Sequence, residues 1–332
     1  MARPRHHVLV VGAGSIGERH IRCFLATGRA AVSFVEVRAE LRNEIAQRYP
    51  QARSYANLEE AMGGATVAVI ATPAPLHVPQ ATALLQRGLH VLIEKPLAVT
   101  LAGVDALIAL AHEKRGIVGV AYVYRAHPIL GDMREALQSG KFGKPLELVA
   151  VCGQHFPLYR SAYRQTYYTQ HETGGGAVHD ALTHIVNAGE WLIGPVSRLV
   201  ADTSHQVLEG TDVEDTVHVL ARHELIPASY SLNQHQAPNE TTITVVCERG
   251  TVRFETHTCR WREMQKPGGE WTDHGGQPLE RDELFIRQAD AFLDAVEGKV
   301  PVACSLDDGI QTLRVNLAIL ESARGESWQN VS

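Results

Sequence analysis

The sequence predicts an α/β chain in two parts: an N-terminal doubly wound parallel sheet, then a C-terminal α/β unit with a large open, mostly antiparallel sheet. Three observations carry this. Through the first third of the chain, short apolar runs alternate with helix-periodic runs, the pattern of parallel strands covered on both faces by crossover helices. Between Arg198 and Met264, β-rich runs follow one another with turns between them, as in an antiparallel sheet. The length, 332 residues, exceeds what a single core ordinarily organises. The boundary is expected near Tyr124, dividing the chain into residues 1–124 and 125–332.

Val8–Val11 is an all-apolar strand, followed by a Gly-rich turn and a helix over Ser15–Ala26. Val32–Val37 is a second strand and Arg38–Tyr49 a helix. Val67–Ala71 is a buried strand. Val78–Gln86 is a helix stopped at Gly88, a residue that tolerates the left-handed conformation of a helix end. His90–Ile93 is a strand. Thr100 is placed to cap a helix running to Glu113, and Ile117–Tyr122 closes the series. The second part opens with a helix over Pro128–Ser139 and a polar, aromatic stretch from Gln154 to Glu172. Ala177–Leu192 reads as a helix ended by Gly194 and Pro195. Thr241–Cys247 and Thr251–Glu255, joined at Arg249-Gly250, form one of several hairpin-like pairs. Two helices, near Arg281–Glu297 and Asp307–Ala323, finish the chain.

Composition narrows the function classes. Lys and Arg total 31 against 37 Asp and Glu, for a formal net charge of −6, which argues against a nucleic-acid binder and its basic face. The five cysteines are odd in number with no close-spaced pair, so neither a disulfide framework nor a zinc site is expected; a reducing cytoplasm fits best. Met1 to His7 runs straight into a strand without a signal-peptide core. No apolar run reaches the ~18 residues of a membrane span. The chain has 17 histidines, but the helical H-x-x-x-H pattern is absent, and no metal is expected.

Gly12-Ala13-Gly14-Ser15-Ile16-Gly17 is a G-x-G-x-x-G set directly after a buried strand and opening a helix. In that context Gly12 permits the tight turn, Gly14 lets backbone approach a pyrophosphate, and Gly17 lets helix and strand pack closely. The helix N-terminus, with Ser15 and Ile16 in its first turn, offers free N–H groups to phosphate. Glu36 ends the second strand, 19 residues after Gly17, where an acid accepts hydrogen bonds from ribose hydroxyls. This is a Rossmann fingerprint, and Glu36 favours NAD over NADP because a carboxylate repels a 2′-phosphate. Arg38 has three readings: a contact to that phosphate, stacking on adenine, or a solvated side chain.

Three further segments stand out. Thr72, Pro73 and His77 follow the buried strand ending at Ala71, and Glu94-Lys95-Pro96 follows the strand ending at Ile93. Carboxyl ends of parallel strands are where ligands bind such sheets. The third is Gly174 to His184, which puts Asp180 and His184 four apart on a helix, while His179 points about 100° away. A histidine titrates nearest neutral pH and suits a general base. A lysine beside the same oxygen stabilises developing alkoxide charge. An aspartate one turn back can orient the base or hold a neighbouring hydroxyl. In the stretch from His155, Tyr159, Arg160, Tyr163, Arg164 and Tyr167 offer rings and guanidinium groups to a polyol, or alternatively form a surface loop or subunit contact.

In this order the segments resemble the glucose-fructose oxidoreductase/inositol dehydrogenase (Gfo/Idh/MocA) family over nearly the whole chain. The resemblance rests on the G-x-G-x-x-G, the T-P…H, the E-K-P, the R-x-H-P at Arg125–Pro128 with Ala126 in its middle, the D-x-x-x-H, and a closing Phe292, Pro301, Ser305, Asp308, Leu313. It implies a homodimer or homotetramer built through the second sheet. It also implies hydride transfer between NAD and a secondary alcohol of a sugar or cyclitol, with Lys95, Asp180 and His184 catalytic. Arg125, Tyr159, Arg160 and Tyr163 are the further candidates for binding substrate. Two other readings keep the nucleotide: transient oxidation by tightly held NAD with no net redox, and a non-catalytic sensor, against which the three catalytic-type residues argue.

Overall fold

The computed structural model describes residues 5–331. The chain forms two compact units. One takes in the chain up to Ala126 together with Glu280–Ile310; the other comprises His127–Leu279 and the chain from Gln311 onward.

The first unit holds a six-stranded sheet in the order β3-β2-β1-β4-β5-β6, parallel throughout: β1 (His6–Val11), β2 (Ala30–Val35), β3 (Arg53–Tyr55), β4 (Val67–Ile70), β5 (His90–Ile93) and β6 (Val118–Val120). Helices α1 (Ser15–Ala26), α2 (Ala39–Arg48), α3 (Leu58–Ala61), α4 (His77–Gln86) and α5 (Val104–Lys114) connect them. Val8–Val11 and all of β4 are buried, as strands covered on both faces must be. Two local expectations change. The edge strand β3 is only three residues of Arg, Ser and Tyr and carries no apolar run. Thr100 does not cap α5; Gly103 does, at φ 77°, while the Thr100 hydroxyl accepts the Ala102 N–H at 3.3 Å.

The second unit opens with α6 (Pro128–Gln138), β7 (Pro145–Gly153) and the single turn α7 (Phe156–Tyr159), and then reaches α8 (Thr183–Ile193). Strands β8 (Arg198–Ser204), β9 (Thr216–His223), β10 (Ile226–Asn233), β11 (Glu240–Cys247), β12 (Gly250–Glu255), β13 (Arg260–Met264) and β14 (Thr272–Gly275) follow. With β7 and a last short strand, β15 (Gln329–Asn330), they form a nine-stranded sheet ordered β14-β13-β12-β11-β7-β10-β9-β8-β15. All its pairings are antiparallel except β10 with β7. Ala150, Tyr230 and Val219 stand side by side on its buried face; Val149, Ser229 and Leu220 stand side by side on the other. Helix α8 lies close on the buried face, where a Cβ at Gly189 would sit 2.2 Å from the Tyr230 hydroxyl.

The last helices are α9 (Glu283–Val296) and α10 (Leu306–Gly325). Residues 280–310 were expected in the second part, yet they cluster with the first. The reason is the apolar face of α9: Ala289, Phe292 and Leu293 join one core with Val8, Val10, Phe24 and Phe34. Arg29 reinforces the attachment, reaching Asp294 at 2.8 Å and Glu297 at 2.9 Å. Beyond Ile310, α10 is tied to α8 by buried polar pairs, Asn187 to Thr312 and Asn316 to Thr183, both 2.9 Å.

Candidate active site

The nucleotide loop is built by contact geometry. Gly12 takes φ 91°, and a Cβ there would lie 2.8 Å from the Ala71 carbonyl oxygen. A Cβ at Gly17 would come within 1.9 Å of the Gly12 oxygen, whereas one at Gly14 would meet nothing within 4 Å among the described residues. Two glycines therefore make the turn, and the third leaves open space at the N-cap of α1, where Ser15 is exposed and Ile16 half-buried. The first N–H groups of a helix need an acceptor, and a phosphate fits this cradle.

Glu36, just past β2, is 5% exposed. Its Oε2 accepts the Ala13 N–H at 3.1 Å and its Oε1 the Arg38 N–H at 3.0 Å. Burial raises its pKa, but the Arg38 guanidinium and the two backbone N–H groups outweigh that and hold it below the usual carboxylate range. It stays ionised, with its place fixed by the same loop that forms the phosphate cradle.

At the end of β4, the Thr72 hydroxyl donates to Gln80 at 2.7 Å and Pro73 is exposed. His77 corrects the sequence reading. Expected to face the cofactor, it is 1% exposed, with one ring nitrogen 2.8 Å from the Thr72 oxygen and the other 3.0 Å from the Pro96 oxygen. Both ring nitrogens face backbone oxygens, one of which takes the single N–H of the neutral ring, so the buried ring sits between two loops instead of reaching a ligand. Glu94, at the end of β5, is also buried. Its Oε1 meets His20 Nε2 at 2.7 Å and its Oε2 accepts the Lys95 N–H at 3.0 Å. Burial raises its pKa, and the hydrogen bond and charge of His20 together with Lys95 lower it further than burial lifts it. Lys95 is half-buried beside it. Nothing in the sequence singled out His20.

In the second unit the expected helix over Ala177–Leu192 is not uniform. Val178–Leu182 is a π-helical turn, and α8 begins only at Thr183. The wider turn sets Asp180 and His184 differently from an ordinary i,i+4 pair, and such turns favour functional sites. Glu214 supports it: 5% exposed, its side chain accepts the Val178 N–H at 2.8 Å and its carbonyl the Ala177 N–H at 3.0 Å. Asp180 accepts the Tyr167 hydroxyl at 2.7 Å. His184 is half-buried on the first turn of α8, and His179 is buried edge-on to His171.

Two substrate candidates move. Tyr163 is 3% exposed, packed with Phe156, Tyr168, Leu208 and Val213, and its hydroxyl donates to the Glu209 carbonyl at 2.7 Å; it is core. The Arg125 side chain is 7% exposed, with Nη1 3.4 Å from the Ala303 oxygen and Nη2 3.4 Å from Asp308. It borders a cavity with Tyr122, Gln288 and Cys304 inside the first unit. Tyr159 and Arg160 are exposed.

Among the described residues no cluster of three metal-ligating side chains occurs, and no helix is long and apolar enough to cross a membrane. A family model described as an oxidoreductase family with an NAD-binding Rossmann fold (GFO_IDH_MocA) matches residues 6–122. A GFO/IDH/MocA C-terminal domain matches residues 131–253. The 1,5-anhydro-D-fructose reductase of Ensifer adhaerens is 26% identical over 329 residues, 95% of each chain. A levoglucosan dehydrogenase solved with NADH and levoglucosan superposes with a TM-score of 0.89 at 23% identity, covering 98% of this chain and 99% of that one. The WlbA dehydrogenase from Bordetella pertussis, with NADH and UDP-GlcNAcA, superposes with a TM-score of 0.84 at 25% identity over 100% and 99% of the chains.

Proposed function

Because the chain belongs to the Gfo/Idh/MocA family of oxidoreductases, we propose that it is an NAD-dependent dehydrogenase that moves a hydride between nicotinamide and a secondary hydroxyl of a sugar or cyclitol. One observation carries the reading. The Gly12–Gly17 loop, Glu36, Thr72 and Lys95 all follow the carboxyl ends of neighbouring strands in one parallel sheet, β1, β2, β4 and β5. That edge is where such sheets take a dinucleotide, and the open N-cap at Gly14 with the ionised Glu36 suits its phosphates and ribose.

When bound, NAD supplies the hydride acceptor. The protein's own groups supply position and proton traffic. Lys95 donates to the reacting oxygen and stabilises its charge. His184 takes the hydroxyl proton as general base. Asp180, held by Tyr167 at 2.7 Å, orients that base or a neighbouring hydroxyl. Tyr159 and Arg160, both exposed, are the further candidates for binding the ring. The same reading includes a homo-oligomer joined through the second sheet, supported by Val151 and Leu220, 48% and 58% exposed on its uncovered face. It also includes a reducing compartment, supported by five buried thiols.

The test is a panel of sugars, inositols, uronates and short-chain alcohols, followed by NADH absorbance. A cyclic polyol should show the highest kcat/KM, because an aliphatic alcohol leaves polar site groups unpaired at ~1–3 kcal/mol each. An aliphatic alcohol equal to every ring would overturn the substrate class. Turnover without NADH accumulation would replace net oxidation by transient redox. Light scattering checks the subunit count.

A further inference from the structure

Two buried histidines contact the Glu94-Lys95-Pro96 turn, one of them at the Glu94 carboxylate and the other at the Pro96 carbonyl. His20 lies on α1, two residues past the first turn that opens at the glycine loop. It is 1% exposed, edge-on to Phe285 with ring centroids 5.9 Å apart and tilted against Phe24 at 6.3 Å. Its Nε2 is 2.7 Å from Glu94 Oε1, and among the described residues its Nδ1 has no hydrogen-bond partner. A ring with a single partner, and that partner an anion, presents Nε2–H to it. The other oxygen of Glu94 accepts the Lys95 N–H at 3.0 Å. At Pro96, a ring nitrogen of His77 lies 3.0 Å from the carbonyl oxygen.

A fully buried carboxylate costs stability unless it is paired and hydrogen-bonded. An apolar pair at positions 20 and 94 would pack the same space more simply. What the pair adds is aim. One oxygen is pinned by a ring on a rigid helix, so the other is fixed where it holds the Lys95 backbone, and a negative charge is fixed one residue from the amine. Reacting groups need support of this kind to stay within a fraction of an ångström of working geometry.

We propose that His20 is a positioning residue for the reaction: through Glu94 it sets the place of Lys95, registering it to the helix that opens at the nucleotide loop. The proposal rests on Lys95 serving the dehydrogenase reading above. The charged and titratable groups around the chain of contacts are Arg19, whose guanidinium lies 4.7 Å from the Phe285 ring, and Glu94, Lys95 and His77.

The test compares His20→Gln, whose amide N–H reaches as far as Nε2–H, with His20→Asn, whose amide falls short, and with Glu94→Gln, which keeps the volume and removes the charge. The first readout needs no substrate. Trace acetylation with acetic anhydride at pH 8, followed by mass spectrometry, gives the reactivity of Lys95 relative to exposed Lys266. Losing the anchored carboxylate releases the Lys95 segment, so Lys95 should react about three-fold faster or more in His20→Asn and Glu94→Gln. His20→Gln should stay near wild type. The second readout is kinetic: with a sugar the wild type oxidises, kcat should fall about tenfold in His20→Asn, with KM and the NAD dissociation constant within about two-fold and kcat rescued in His20→Gln. If His20→Asn does not fold, Glu94→Gln decides the labelling. Unchanged Lys95 reactivity in the folded variants overturns the proposal. If the wild type oxidises no cyclic polyol, the dehydrogenase reading fails while the labelling still decides the role of His20.

Discussion

Arg38 grips Glu36 with both arms: Nε lies 2.9 Å from Oε1 and Nη2 3.1 Å from Oε2. The carboxylate is 5% exposed and the guanidinium side chain 66%, so the acid is the fixed member and the arginine the movable one. An arginine already committed to a carboxylate is a poor phosphate ligand, and an ionised Glu36 repels a 2′-phosphate. NAD should therefore bind at least about tenfold tighter than NADP, a difference of ~1.4 kcal/mol. Glu36→Gln should bring the two dissociation constants together by freeing Arg38. Fluorescence titration of both nucleotides checks this, and tighter NADP binding by the wild type would contradict it.

Lys95→Ala should leave NAD affinity within a few-fold and lower kcat by roughly 10²–10³, the loss seen when one donor to a developing oxyanion is removed. Stopped-flow turnover beside nucleotide titration separates the two. Near-normal turnover removes Lys95 from the chemistry.

For His184, the expected result is the disappearance of the acidic limb of the pH–rate profile in His184→Ala, since a general base works only when deprotonated. Tyr167→Phe removes the hydroxyl that holds Asp180 at 2.7 Å. It should cost less than His184→Ala, roughly three- to tenfold in kcat, a hydrogen bond's worth of orientation. An acidic limb that persists unchanged without His184 assigns the titration to another group.

The glycine loop, Glu36 and the E-K-P turn were legible because each is local: residue type, strand end and helix start stand within a few positions of one another. The His20–Glu94 pair was not, since its partners lie 74 residues apart and a histidine in a helix announces no partner. The π-helical turn was hidden for another reason: Ala177–Leu192 has the composition of an ordinary helix, and what supports the wider turn, Glu214, arrives from beyond it. Tyr163 was misread because it stands in a stretch rich in polar residues, while its own ring goes inward with Phe156 and Tyr168. Helix α9 was placed with the second part only by its position in the chain, and which core its apolar face joins, that of the first unit, depends on residues more than 200 positions away.

The contrast between Gly14 and Gly17 separates folding from binding. Gly17→Ala puts a Cβ 1.9 Å from the Gly12 oxygen, so the loop must open, and both thermal stability and NAD binding should fall. Gly14→Ala adds a methyl group to open space. It should keep the melting temperature within a few degrees, the scale of a change below about 1 kcal/mol, while weakening NAD at least about tenfold by crowding the phosphates. Unchanged NAD affinity in Gly14→Ala would move the phosphates away from this cradle.

His223 should set part of the acid sensitivity of the second unit. At the end of β9, its Nε2 lies 2.8 Å from the Tyr230 hydroxyl and its Nδ1 2.5 Å from the Gly194 oxygen. Burial keeps Tyr230 a phenol by raising its pKa well above the ordinary value. The neutral ring completes the set, with Nδ1–H donating to the carbonyl and Nε2 accepting from the phenol. Burial pushes the His223 pKa down to about 4, although the Gly194 carbonyl acts the other way. An unfolded histidine titrates near 6.5. Above that value both states are neutral and His223 contributes nothing to the pH dependence. As pH falls from about 6.5 to about 4, the unfolded chain binds a proton that the folded one refuses, so stability is lost across this window, by about 3 kcal/mol in full. His77 and His90, also held low by burial, act with the same sign. The depressed carboxylates, such as Asp215, add their losses mainly below it. Urea unfolding at pH 7.5 and 4.5, at fixed protein concentration because assembly shifts apparent stability, measures the effect in the wild type and in His223→Gln. The glutamine can donate to Gly194 and accept from Tyr230 without titrating. It should lose roughly 2–3 kcal/mol less than the wild type between the two pH values, and an equal loss in both proteins would show that His223 is not the group responsible.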